Sequence, residues 1–135
     1  MSRIRRATTD NEEDLYEMVL AFNAEYFGIP INPEKLEQWV QLHLQAGIIL
    51  MSEDGFISGL YVPDPLRDHN VLLESGWFSR DNHGARLLLK FINHAREIGV
   101  DEVRMTTLST SPEAANQMLT RLGFEPVETS WRLLT

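Results

Sequence analysis

The apolar residues of this chain switch between a helical and a strand spacing several times, and no other feature narrows its fold as far. Leu15, Met18, Val19, Phe22 and Tyr26 recur at helical intervals, as do Leu36, Trp39, Val40 and His43. His43 beside Trp39 reads as a packed amphipathic residue rather than a ligand. The period then changes. Residues 48–51 and 56–62 are short apolar runs separated by Glu53-Asp54-Gly55, which predicts a hairpin with Gly55 available for a positive φ. Residues 71–79 make a third run, with Leu73, Ser75 and Trp77 expected on one face and Leu72, Glu74, Gly76 and Phe78 on the other. Gly76 marks a weak or bulged point in it. Helical spacing returns from Gly84, placing Ala85, Leu88, Leu89, Ile92 and Ala95 inward. Val103, Met105 and Thr107 alternate as a strand, and Ala115, Met118, Leu119 and Leu122 share one side of a last helix. Residues 124–134 supply a closing strand or two.

Punctuation supports these boundaries. Residues 3–7 read as a short first strand, and Asp10 with Glu13 predicts a capping box at the first helix. Gly28-Ile29-Pro30 ends that helix, Asn32-Pro33 opens the second as N-cap and first-turn proline, and Gly47 follows its last turn. Residues 63–70 begin Pro-Asp-Pro and form a loop. Gly99 ends the third helix, Ser111-Pro112 caps the fourth and Gly123 closes it. The series β-α-α-β-β-β-α-β-α-β predicts an α/β fold: one mixed sheet with helices on both faces, in a single domain spanning 1–135.

Composition excludes several roles. A domain of 135 residues buries roughly two-thirds of its unfolded surface, so it needs no staple. With no cysteine, disulfides, thiolate metal sites and cysteine nucleophiles are ruled out, and the cytosol is the expected compartment. The basic start, Arg3-Ile4-Arg5-Arg6, runs into acidic residues where an export signal needs an apolar stretch, so none is expected. No apolar run approaches the ~20 residues of a membrane span. The formal charge of -8 argues against nucleic-acid binding, which depends on Lys and Arg neutralising phosphates. The four histidines show no metal-ligand spacing, and neither a nucleophile elbow nor a Walker-type loop is present.

The element order, with Ile4-Arg5-Arg6-Ala7-Thr8, Ala95-Arg96-Glu97-Ile98-Gly99-Val100 and Leu122-Gly123-Phe124-Glu125-Pro126-Val127, resembles the GNAT N-acetyltransferase superfamily over nearly the whole chain. Pro63-Asp64-Pro65-Leu66 followed by Glu74-Ser75-Gly76-Trp77-Phe78 looks most like small GNAT proteins of tailed bacteriophages. The superfamily's signature is Arg or Gln, two residues, Gly, one residue, then Gly or Ala. Here it is imperfect: with Gly84 as the second small residue, Ser79 and Asn82 occupy the other places. Asn tolerates positive φ, so Asn82 can hold the turn glycine would hold. The competing reading is a plain helix start at Asn82-His83-Gly84.

The resemblance implies acetyl-CoA as co-substrate, with no metal, and an amine that attacks the thioester carbonyl directly. Its pyrophosphate would meet backbone N–H groups around Asn82, His83, Gly84 and Ala85, and its pantetheine arm the backbone of Trp77, Phe78 and Ser79. Trp77 reads equally as core packing, and Arg80, His83 and Arg86 as added positive charge or a solvated helix end. Glu74 is the candidate base for the attacking amine, or else a carboxylate paired with an Arg. The tyrosine expected to protonate the departing thiolate is replaced by Leu119, with Asn116 and Thr120 the nearby polar groups. Two functions remain open. One is an N-acyltransferase acting on a small amine or a protein amino group. The other is a catalytically degenerate GNAT-fold protein that binds or assembles, as a homodimer or with a phage partner, in an infected host's cytoplasm or a virion.

Overall fold

The computed structural model describes residues 3–135. Its elements are β1 (Arg5–Arg6), α1 (Glu12–Tyr26), α2 (Pro33–Ala46), β2 (Gly47–Ser52), β3 (Gly55–Pro63), β4 (Asn70–Ser79), α3 (Gly84–Ile98), β5 (Glu102–Arg104) and α4 (Glu113–Arg121). The strands form one sheet in the order β1-β2-β3-β4-β5, antiparallel except for the parallel β4–β5 pair that α3 connects. Helices α1 and α2 cover one face, with Leu15, Met18, Val19, Leu36 and Val40 against Ile49, Met51, Phe56 and Phe78. Helix α3 covers the other, with Leu87, Leu88, Phe91, Ile92 and Ala95 against Ile48, Leu50, Ile57 and Leu72. Gly59 lets Phe91 approach the sheet, since a Cβ there would lie 2.6 Å from the ring.

The mixed α/β prediction holds, with several local corrections. Thr8, not Asp10, caps the first helical segment: its side chain accepts the Asp10 N–H at 3.3 Å and Asn11 returns the bond to the Thr8 N–H at 2.9 Å. Thr8 is extended, so its hydroxyl reaches forward over a 3-10 turn (Thr9–Asn11) that precedes α1. Asn32 caps α2 as expected, accepting from the Glu34 and Lys35 N–H groups. The β2–β3 hairpin forms, but Gly55 is not among the positive-φ residues; it is needed because a Cβ would lie 2.8 Å from the Phe78 carbonyl oxygen. In α3 the inward residues are Leu87 and Phe91 together with Leu88, Ile92 and Ala95, whereas Leu89 is exposed. Ser111 does not cap α4; its hydroxyl instead takes the Leu108 N–H at 2.8 Å.

Two corrections shape the site. The expected closing strand does not form: residues 124–135 contain no strand, and Trp131 is 90% exposed. β5 offers only three residues of edge, and Pro126 has no N–H to give it. The second concerns β4, which carries a bulge: Ser58 pairs Gly76 while Gly59 pairs Glu74, leaving Ser75 unopposed. The extra residue reverses the alternation. Leu72 therefore packs with the α3 cluster and Phe78 with the α1–α2 cluster, although an even spacing predicts one face for both.

Candidate functional site

β4 and β5 pair only as far as Leu73 and Arg104. Beyond that point the Thr106 N–H turns from the ladder to the Glu74 carboxylate, Oε1 accepting at 2.9 Å. The strands part there, and a cleft of about 430 Å³ opens between them. One wall is β4 and the first turn of α3, through Glu74, Ser75, Trp77, Phe78, Ser79, Gly84 and Ala85. The other is the segment after β5 together with α4, and the C-terminal turns of α1 supply Phe22 and Tyr26.

Glu74 sits at the apex, 9% exposed. Burial pushes its carboxyl up to about 7, with only the Thr106 N–H opposing. No cationic side chain forms an ion pair with it among the described residues, so the Arg-paired alternative does not hold. An acid poised near neutrality in a cleft is suited to proton transfer.

The turn from β4 into α3 is built by Asp81. Its carboxylate accepts from Ser52 Oγ at 2.6 Å, Ser79 Oγ at 2.7 Å and the N–H groups of Asp54 and His83 at 2.9 and 3.1 Å. Burial opposes its ionisation, but these bonds outweigh that and hold its carboxyl well below the usual carboxylate range. The turn is thereby tied to the β2–β3 hairpin, a bond doubled by Arg80 on Asp54 at 2.6 Å. Arg80 is thus committed to Asp54, and His83 Nδ1 lies 2.7 Å from the Asp81 carbonyl oxygen. Asn82 has φ 63°, the sole positive φ at a non-glycine among the described residues, as its amide side chain tolerates.

The helix that follows begins without a side-chain cap, so the N–H groups of its first turn are left for an outside acceptor. A Cβ on Gly84 would meet Ser79 and Trp77 at ordinary distances, 3.6 and 3.7 Å. Nothing inside the fold requires glycine there, and its small size leaves the approach open. A diphosphate suits that chemistry: small residues, uncapped N–H donors and a carboxylate, Asp81, turned inward.

Of the residues predicted to touch a cofactor, Trp77, Phe78, Ser79, Gly84 and Ala85 line the cleft. Trp77 both packs on the α3 cluster and donates its indole N–H to the Gly84 carbonyl at 2.9 Å, bracing the turn. Phe78 is core, within a ring cluster with Phe22, Tyr26 and Phe56. Asn82 and His83 shape the turn behind the lining residues. Asn116 is exposed outside the lining, accepting from Thr107 Oγ1 at 2.8 Å. Leu119 packs against the α3 cluster and does not line the cleft.

Sequence reasoning missed the pairing of Ser75 with His43, whose Oγ and Nε2 are 2.6 Å apart. Their separation of 32 residues and the bulge that turns Ser75 toward α2 leave no local signal.

No family model matches the chain, and no curated protein does. Solved structures do. A transcriptional regulator from Bacillus halodurans C-125 superposes with a TM-score of 0.78 at 16% identity, covering 100% of both chains. A ribosomal-protein-alanine N-acetyltransferase from Brucella melitensis biovar Abortus 2308 gives 0.76 at 11% identity, covering 100% of this chain and 99% of its own. A predicted acetyltransferase from Clostridium acetobutylicum, solved with acetyl-CoA, gives 0.76 at 14%, covering 99% and 96%. The chain thus has the mixed α/β fold of GNAT acetyltransferases.

Proposed function

We propose that this chain is an acyl-CoA-dependent N-acyltransferase, working as one domain over 1–135. The observation that carries the reading is the parting of β4 from β5, with Glu74 at the apex and the uncapped start of α3 at one end. A thioester laid along the open edge of β4 would place its diphosphate at the N–H groups of Gly84 and Ala85 and its acyl carbon toward Glu74. The acetyl group is the acyl chain the solved neighbour with acetyl-CoA suggests. Glu74 then takes a proton from the incoming amine, for which a pKa of about 7 is well placed. The acceptor is a small amine or a protein amino group. On the resemblance of its Pro63-Asp64-Pro65-Leu66 segment, we assign it to a tailed phage acting in its host's cytoplasm.

Calorimetry with acetyl-CoA tests the cleft. Binding should be lost in Gly84→Glu, which puts bulk and negative charge at the helix start. Glu74→Gln should leave affinity near its starting value and lower the acceptor-dependent rate about 100- to 10,000-fold. Its loss should also remove the rise in rate through about pH 7.

One observation favours a second reading, a GNAT-fold protein that binds or assembles without turnover. Leu119 packs on the α3 cluster where the resemblance expects a proton-donating tyrosine. Acetyl-CoA binding with no transfer to a broad amine panel would select it, and sedimentation would then show whether a homodimer forms.

A further inference from the structure

His43 is 1% exposed, yet it lies on a continuous line of hydrogen bonds that ends in the cleft. Its Nδ1 is 2.7 Å from the Trp39 carbonyl oxygen, which can only accept, so Nδ1 carries the proton. Burial lowers the His43 pKa, the Trp39 bond opposing it, and the ring is neutral at physiological pH. Nε2 is therefore a lone pair and accepts from Ser75 Oγ at 2.6 Å. With its proton committed, Ser75 Oγ accepts from Ser58 Oγ at 2.8 Å. Ser58 is fully buried, whereas Ser75 is half-buried and lines the cleft.

A hydroxyl bonded to an imidazole whose far nitrogen is oriented by a third group is the arrangement that activates a nucleophile. Here the orienting group is a backbone carbonyl. The β4 bulge turns Ser75 toward α2, and Ser75 and Glu74 both line the cleft where the two strands part. Trp39 stacks on the ring, with centroids 3.9 Å apart, and limits its rotation.

The geometry points to Ser75 as a nucleophile that accepts the acyl group from the thioester, with His43 as its base and then its acid. This rests on the acyl-thioester reading of the cleft and replaces the direct amine attack that the resemblance implies with a covalent stage. Ser75 Oγ attacks the acyl carbon and its proton passes to His43 Nε2. The carbon–sulfur bond breaks, and the departing thiolate takes that proton, leaving free thiol and an acyl-serine ester. His43 so fills the role of the acid that Leu119 cannot supply. An ammonium acceptor gives one proton to Glu74, and the neutral amine attacks the ester. The carbon–nitrogen bond forms and the carbon–oxygen bond breaks, while the amine's second proton passes through His43 Nε2 to Ser75 Oγ.

The test is acid-quenched mass spectrometry of the intact protein after exposure to acetyl-CoA without amine, and separately to p-nitrophenyl acetate, which needs no diphosphate cradle. One acetyl group should appear on the peptide bearing Ser75 with both donors and be absent in Ser75→Ala. Acylation should slow at least a hundredfold in His43→Gln, which keeps an acceptor but not basicity. Ser75→Cys, checked for its melting transition, should trap the acyl group as a thioester if Ser75→Ala fails to fold. If calorimetry shows acetyl-CoA bound and neither donor acylates residue 75 in the starting protein or Ser75→Cys, the nucleophile is overturned and the cleft reading stands. Acylation by the ester alone, with no acetyl-CoA binding, overturns the cleft reading and keeps the nucleophile. Acylation at unchanged rate in His43→Gln removes His43 from the scheme and overturns the pair.

Discussion

The two walls of the cleft are held very differently. The β4–α3 wall is anchored from behind: α3 buries Leu87, Leu88, Phe91, Ile92 and Ala95, and Asp81 ties its first turn to the β2–β3 hairpin. The β5–α4 wall has three strand residues and a helix with no buried residue; Met118 and Leu119 touch the α3 cluster only in part. A site that must hold a long, charged ligand in one register benefits from a fixed wall. Under the proposed function, admitting and releasing that ligand would fall to the lightly attached one, since elements with little buried surface open first.

The contrast can be broken most sharply in the α3 core. Phe91→Ala should cost about 3–5 kcal/mol, while Met118→Ala on α4 should cost about 1 kcal/mol or less. Urea denaturation of both would measure this, and equal costs would abolish the distinction between the walls. Native-state amide exchange should likewise be faster in α4 than in α3.

Glu74, at the junction of the walls, carries the next largest effect. Folded, it keeps its proton up to about pH 7; unfolded, it loses it in the ordinary carboxylate range. The native state therefore binds more protons between those values, and its contribution to stability is full below them and lost as pH rises through about 7. The loss amounts to about 3 kcal/mol. Melting temperature against pH should show that decline, and Glu74→Gln should flatten it. His43 runs the other way: with its pKa lowered, the native state gives up stability as pH falls below the ordinary histidine value.

Asp81→Asn sharpens the account of the fixed wall. It keeps the shape but loses the charge that accepts four hydrogen bonds, and should cost about 2 kcal/mol by denaturant titration while weakening acetyl-CoA binding. The smallest effect belongs to the tail. Trp131→Ser should move stability by less than about 0.5 kcal/mol, because the ring is 90% exposed.

Much of the frame was legible from local signals. Helical stripes, the Asn32 cap, the Gly99 stop and the strained φ at Asn82 each follow from a residue and its immediate neighbours. The failures share a cause. The anchoring role of Asp81 has no local signal, because its partners Ser52 and Asp54 come from another hairpin. The 124–134 run was read as strand from composition, but a strand also needs a neighbour long enough to pair with, and β5 is not. His43 was correctly read as packed, and its bond to Ser75 stayed hidden because a bulge decides where Ser75 points.

That bulge also limits how the chain can change. β4 works like a two-phase tape read by two helical layers, and Ser75 is the slip between phases. Before it, even-numbered residues are delivered to the α3 layer; after it, to the α1–α2 layer. Deleting one residue there would restore a single phase and send either Leu72 or Phe78 to the wrong layer. Single insertions or deletions in this strand are thus forbidden, whereas the loop at 64–69, outside the phase, is free to vary in length.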